Sequence, residues 1–168
     1  MATKITSKDE YDASPDAVMA ALSDEQFQLE KHAAVGSTNA KVLEIAEQPD
    51  GSIRLRIQRD VETAGIPDFA RKLLGERQTI TEIQEWSSPT ADGSRSGTWK
   101  VEAKSAPMQM GGRLAMAPSA GGTTVTIEGE VKASVPLIGG KLERAVAEAT
   151  EKTLKDECAF GQKWLASH

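Results

Sequence analysis

Few side chains in this sequence pair a reactive type with useful spacing. Only two histidines occur, His32 and His168. A transition-metal centre or a relay of nucleophile and base needs several convergent groups, and one interior imidazole with a terminal one supplies little towards either. No metal site and no catalytic residue is assigned. His32 closes a helix read over Glu25–His32, where a cation would suit the negative helix end. The single cysteine, Cys158, can form neither an internal disulfide nor a cysteine zinc site alone. It falls on the final helix near Leu154 and Leu165 and reads as a small packing residue. Four polar residues have spacing that chemistry could use. Ser7 and Asp9 alternate on one face of the first strand, and Thr153 and Glu157 stand one helical turn apart. If they converged, they would offer a hydrogen-bond donor and carboxylates to a cyclase- or hydrolase-type reaction. Otherwise Thr153 bonds back to the helix carbonyl four residues earlier, Glu157 stands in water at a rim, and Ser7 and Asp9 are an exposed strand end.

Several functions are disfavoured outright. Gly139-Gly140-Lys141-Leu142 has the ending of a phosphate loop, but Val135 stands where the first glycine is required and Leu142 where Ser or Thr must be. No glycine fingerprint for a dinucleotide follows a strand, and no cofactor is expected. The formal net charge of -5, with both signs interspersed, argues against a nucleic-acid partner. No apolar run approaches the roughly 20 residues of a membrane span, and the N-terminus lacks the apolar core of a signal peptide. These features and the lone thiol point to the cytoplasm. The 168 residues fit one domain, 1–168.

The elements that must position these residues are legible in the periodicity. Ile5–Tyr11 reads as a strand. Ser14, Pro15 and Asp16 are a helix entry: a capping hydroxyl, a proline suited to the first turn and a carboxylate at the positive end. That helix runs to Leu22, and Glu25–His32 forms a second. Val42–Glu47 is a strand, and Gln48-Pro49-Asp50-Gly51 a turn. In the next strand Ile53, Leu55, Ile57 and Val61 alternate with Arg54, Arg56, Gln58 and Asp60, giving one buried face and one wet face. Pro67 opens and Gly75 closes a short helix within Ile66–Gly75. Arg77–Trp86, Thr98–Lys104, Met108–Met116 and Val125–Ala133 are four more strands. Their links are too short for parallel crossovers, which makes them an antiparallel meander. After Gly140 about 27 proline-free residues form a helix roughly 40 Å long. Its apolar stripe contains Leu142, Val146, Ala149, Thr153, Phe160 and Trp164, and the pairs Glu148–Lys152 and Glu151–Lys155 suit a solvated face.

This order, and the phrase Tyr11-Asp12-Ala13-Ser14-Pro15-Asp16-Ala17-Val18, resemble the START-like superfamily (SRPBCC or helix-grip), which includes birch pollen allergens and polyketide cyclases. The chain looks closest to an uncharacterised bacterial branch of unknown function. The resemblance implies an α+β helix-grip fold: a seven-stranded curved antiparallel sheet wrapped around the long C-terminal helix, with two short helices between strands one and two. An apolar cavity would lie between sheet and helix. Leu55, Ile57, Trp99, Val101, Met108, Met110, Leu114 and Ile127 would line it from the sheet, and Leu142, Val146, Ala149 and Thr153 from the helix. Phe69 and Leu73 would face inward from a lid over Ile66–Gly75. Small residues (Gly112, Gly129, Ala145, Ala149) and an aromatic content of 4% leave room for a void. The same residues could instead fill a solid core. The leading expectation is a non-enzymatic carrier or sensor of an apolar small molecule or lipid. An enzyme working in the same cavity and a co-chaperone-like interaction module are the rivals. Ligand identity and oligomeric state are not legible.

Overall fold

The computed structural model describes residues 2–168. Strand β1 (Thr3–Tyr11) leads into α1 (Pro15–Leu22) and α2 (Glu25–Ala34). Then come β2 (Thr38–Glu47), β3 (Ile53–Glu62), α3 (Asp68–Leu74), β4 (Arg77–Trp86), β5 (Arg95–Ala103), β6 (Met108–Ser119), β7 (Gly122–Ala133) and α4 (Gly139–Ser167). The expected order holds throughout. The largest change in length is in β2, which begins four residues earlier than its apolar pattern. Its first residues carry two register shifts against β3, with Asn39 at φ +52°, so the alternation there is broken and the strand is hard to read.

One sheet holds all seven strands in the order β1-β7-β6-β5-β4-β3-β2, every neighbouring pair antiparallel. Helices α1 and α2 carry the chain from one edge strand to the other. Both helix entries are capped. Ser14 Oγ accepts from the Ala17 amide at 3.2 Å, and Asp24 Oδ1 accepts from the Phe27 amide at 2.8 Å. The β6–β7 hairpin is tight, because Ser119 pairs with Gly122 and Gly121 takes φ +81°.

The inner face is continuous across strands. Ile57 stands opposite Glu82, Glu82 opposite Val101, and Val101 opposite Met110. At one end of this face Ile53, Trp86, Met116 and Val125 close a solid core with Val18 and Met19 of α1. Helix α4 packs on β1, β7 and α2 rather than along the middle of the sheet. Its first turns are fastened by Glu143, which is buried and accepts from Thr3 Oγ1 at 3.1 Å and from the Ala133 amide at 2.9 Å. Because α4 leans towards the β1–β7 side, the inner faces of β3, β4 and β5 are left without a helix directly upon them. That asymmetry creates the space described next.

Among the described residues, no helix is long and apolar enough to cross a membrane. Among the described residues neither i,i+4 pair expected on α4 forms, and one member of each takes another partner. Glu151 accepts from the Thr6 amide on β1 at 3.1 Å, and Lys152 turns forward to Asp156 at 3.1 Å.

Candidate functional site: a cavity with one polar wall

A cavity of about 490 Å³ opens between α4 and the sheet. Its apolar side comes from Trp99, Val101 and Ala103 of β5, Met108, Met110 and Leu114 of β6, Ile127 of β7, and Val146, Ala149 and Leu154 of α4. Ile66 and Leu74 close it from the α3 segment. Thr150 and Thr153 add hydroxyls; that of Thr150 meets Met110 Sδ at 3.8 Å. Among the described residues Thr153 makes no bond back to its helix.

Nine of the residues expected to line the cavity are on its wall: Trp99, Val101, Met108, Met110, Leu114, Ile127, Val146, Ala149 and Thr153. Five are elsewhere. Leu55 and Ile57 are on the inward face of β3, yet they are 0% and 1% exposed inside the solid core. Leu142 is likewise fully buried, one turn of α4 short of the cavity. On α3, Phe69 packs half-buried against the core and Leu73 is exposed, so the residues reaching the cavity from this segment are Leu74 and Ile66. A seven-residue helix turns through barely two revolutions, and a phase error of one residue rotates its face by about 100°, here onto Ala70 and Leu74.

Gly112 and Gly129 stand opposite each other, but they make room for protein, not for a ligand. A Cβ on Gly129 would come within 2.6 Å of Trp99 Cζ2, and one on Gly112 would collide with the Glu128 carbonyl oxygen. The sheet bends tightly here and the Trp99 indole lies over the bend, its Nε1 donating to the Glu128 carbonyl at 3.1 Å.

The opposite wall is polar, and it was not anticipated. Arg59 continues the buried row of Ile53, Leu55 and Ile57 on β3 and is 7% exposed. Gln78, Glu82 and Gln84 share the inward face of β4 with Ile80 and Trp86. Arg59 Nη2 meets Glu82 Oε1 at 3.0 Å, Gln84 Nε2 donates to Glu82 Oε2 at 2.6 Å, and Trp86 Nε1 donates to Gln84 Oε1 at 3.0 Å. These bonds form one chain from the core into the cavity wall. Burial alone would raise the Glu82 carboxyl, but the Arg59 guanidinium, with Lys31 behind it, holds it well below the usual carboxylate range. A second buried pair joins α2 to α4: Lys31 Nζ lies 3.1 Å from Glu157 Oε1, with side chains 7% and 12% exposed. Glu157 is therefore a paired, buried wall residue and not a wet rim.

His32 departs from expectation most. It lies inside α2, is 0% exposed, and neither ring nitrogen has a hydrogen-bond partner. Burial first, then the neighbouring Lys31 and Arg59 cations, depress its pKa to about 2, so it is a neutral imidazole and not a helix-end cation. Ser7 and Asp9 face a separate groove between β1 and α4, beside Cys158. Ser7 Oγ donates to Asp9 Oδ1 at 2.7 Å. Burial raises the Asp9 carboxyl against that bond, and Thr153 and Glu157 belong to the other cavity. The four polar residues read as possible reaction partners are thus divided between two sites.

Three signals for the polar wall were present in the sequence. The alternating run of β3 skips Arg59, which occupies an inward position in phase with the apolar residues. The mixed pattern of β4 is an inward row in which Gln78, Glu82 and Gln84 interleave with Ile80 and Trp86. In α2, Lys31 and His32 follow Phe27 and Gln28 at a spacing of four, which puts them on the same buried side.

A bent antiparallel sheet closed by one long helix over a cavity is the START-like, helix-grip architecture. The chain is similar to the Zhui aromatase/cyclase from Streptomyces sp. R1128, with a TM-score of 0.63 at 13% identity over 99% of this chain and 93% of that one. It is also similar to the STAR-related lipid transfer protein (fragment 25–204) from Xanthomonas axonopodis, with a TM-score of 0.61 at 14% identity over 94% and 84% of the two chains. Within this architecture the chain belongs to the family described as "Protein of unknown function (DUF2505)", which matches residues 6–165. An uncharacterised protein of Mycobacterium tuberculosis (strain H37Rv) is 22% identical over 121 residues, or 71% of this chain and 69% of that one.

Proposed function

We propose that this protein is a non-enzymatic carrier or sensor that holds an apolar small molecule or lipid in the cavity between α4 and the sheet. The observation that carries the reading is an open space of about 490 Å³ where a solid core would have interlocked side chains. That volume is within the range of small-molecule sites, about 300–1,000 Å³, and its walls are mostly apolar with a few placed polar groups, as such sites are. Met108 and Met110 supply unbranched, polarizable side chains that adapt to a guest. The α3 segment closes one side through Ile66 and Leu74 and acts as the lid through which a ligand enters. Solved proteins of the same fold include a lipid transfer protein and an aromatase/cyclase, and the first of these supports an apolar guest here. The carrier reading is preferred over an enzyme because Ser7 and Asp9 do not share a cavity with Thr153 and Glu157.

The test is direct. An organic extract of the purified protein, analysed by mass spectrometry, is expected to contain a stoichiometric apolar compound, and a neutral apolar dye is expected to bind at one site. Met110→Trp and Ala149→Trp each place an indole in the cavity and should abolish dye binding while leaving the circular dichroism of the fold in place. Dye binding unchanged in both variants sinks the proposal.

A further inference from the structure

We propose that the groove between β1 and α4 is a second binding site, and that it takes the ammonium group of a small primary amine on the Asp9 carboxylate and the adjoining carbonyl of β1. This goes beyond the binding function proposed above and does not depend on it.

The starting point is a buried acid without a counter-charge. The groove has a volume of about 420 Å³, and Ser7, Asp9, Lys155, Cys158 and Ala159 line it. Asp9 is only 6% exposed. Its Oδ1 accepts from Ser7 Oγ at 2.7 Å. Oδ2 has no partner among the described residues and yet is not sealed off, so it opens on the groove. Among the described residues no cation pairs with this carboxyl. Lys31 is held by Glu157 at 3.1 Å, and Lys8 leans to Glu10 at 3.9 Å. Burial first, with Glu157 and Glu10 adding to it, pushes the Asp9 carboxyl up against the opposing pull of Ser7 and Lys31. Buried charges are ordinarily paired. The edge of β1 is unfinished at the same place. Glu151 accepts from the Thr6 amide at 3.1 Å, and Gln162 Nε2 donates to the Glu10 carbonyl at 2.8 Å, so α4 completes this edge at two points. Alternate residues of an antiparallel strand turn their N–H and C=O to the same edge. Those of Lys8 therefore face the groove between the two bonds, and among the described residues no α4 side chain takes either.

Charge and donor count select among possible guests. An alkylammonium group carries one positive charge and three N–H donors. Asp9 Oδ2 and the Lys8 carbonyl take two of these, and the open side of the groove leaves the third to water. Of the other ionised groups on the wall, Lys8 and Lys155 are offset by Glu128 and Glu151, which leaves Asp9 as the charge to be neutralised. A carboxylate guest is repelled by Asp9. An alcohol brings no charge, and a quaternary ammonium brings charge without donors. A metal ion lacks its ligands, since among the described residues no three His, Cys, Asp or Glu side chains converge. The apolar remainder of the amine lies against Ala159, Cys158 and the methylene stem of Lys155.

The experiment titrates the full-length protein at neutral pH and physiological salt with n-butylamine, which is ionised there, and follows the backbone amides by NMR. n-Butyltrimethylammonium carries the same charge without N–H donors, n-butanol lacks the charge, and butyrate reverses it. Butylammonium is expected to bind saturably and at least about tenfold more tightly than the other three, as one charge-assisted bond allows. Its shifts should gather on residues 6–9 and 155–162. Two variants locate the effect. Asp9→Asn keeps an acceptor for Ser7 and removes the charge, and it should weaken amine binding at least about tenfold while the circular dichroism of the fold is unchanged. Ala159→Phe fills the groove from an exposed helix position with Asp9 intact and should abolish amine binding, so it decides the matter should Asp9→Asn fail to fold. The inference is overturned if butyltrimethylammonium binds as tightly as butylammonium, if the shifts scatter over the acidic surface, or if either folded variant binds the amine like the wild type. None of these results bears on the cavity, which the dye tests separately.

Discussion

Arg59 and His32 are side chains whose meaning comes from what surrounds them. In the chain Arg59 is one of several arginines on a strand rich in them, and only burial beside Glu82 makes it a structured wall. His32 carries a consequence for acid stability. Its folded pKa lies near 2, against 6.5 for the ordinary group, so the folded protein keeps this ring neutral while the unfolded chain takes a proton below 6.5. The stability it contributes is therefore complete above 6.5 and lost as the pH falls below it, by at most about 1.4 kcal/mol per pH unit. Urea denaturation at a series of pH values from 7 down to 5, above the range in which carboxylates titrate, should show that decline. His32→Met, which removes the titrating group, should flatten it, and an unchanged slope in the variant would assign the decline elsewhere.

Helix α4 shows how one buried acid positions an element. No side chain caps its start, which follows Leu137 at φ +71°. The helix is held in place instead by Glu143, which reaches the side chain of Thr3 on β1 and the amide at the end of β7. Glu143→Ala should lower unfolding stability by about 1–3 kcal/mol, because the Ala133 amide loses its acceptor in a half-buried setting. Glu143→Gln keeps one amide oxygen and should recover part of that loss in the same chemical denaturation experiment. If alanine costs nothing, α4 is held by apolar packing alone. Since α4 carries Val146, Ala149 and Thr153, the same substitution should also weaken dye binding.

Binding at the cavity links ligand occupancy to the stability of the entire domain. A ligand present at about 100 times its dissociation constant should stabilise the folded protein by about 2.7 kcal/mol. For a chain of this length that is a rise in melting temperature of roughly 5–10 °C. Differential scanning calorimetry with the neutral apolar dye should show the rise in the wild type and not in Ala149→Trp. A rise of equal size in both would place the ligand outside the cavity.

Much of the architecture could be read directly from the chain. Period-two runs marked β3, β5, β6 and β7, the Ser14–Pro15 entry marked α1, and the proline-free tail marked α4, because each is a local pattern with a local cause. Tertiary structure alone decided which inward residues meet empty space and which meet one another. Leu55, Ile57 and Leu142 have the same apolar character as Leu114 and Val146, but α1 and α2 close over one end of the sheet and α4 leans away from the other. The paired charges Arg59–Glu82 and Lys31–Glu157 were equally hidden, since their partners are separated by 23 and 126 positions in the chain. Periodicity tells which way a side chain points; whether it finds a neighbour, a counter-charge or a hollow depends on how distant elements pack, and that is not written in any single stretch of sequence.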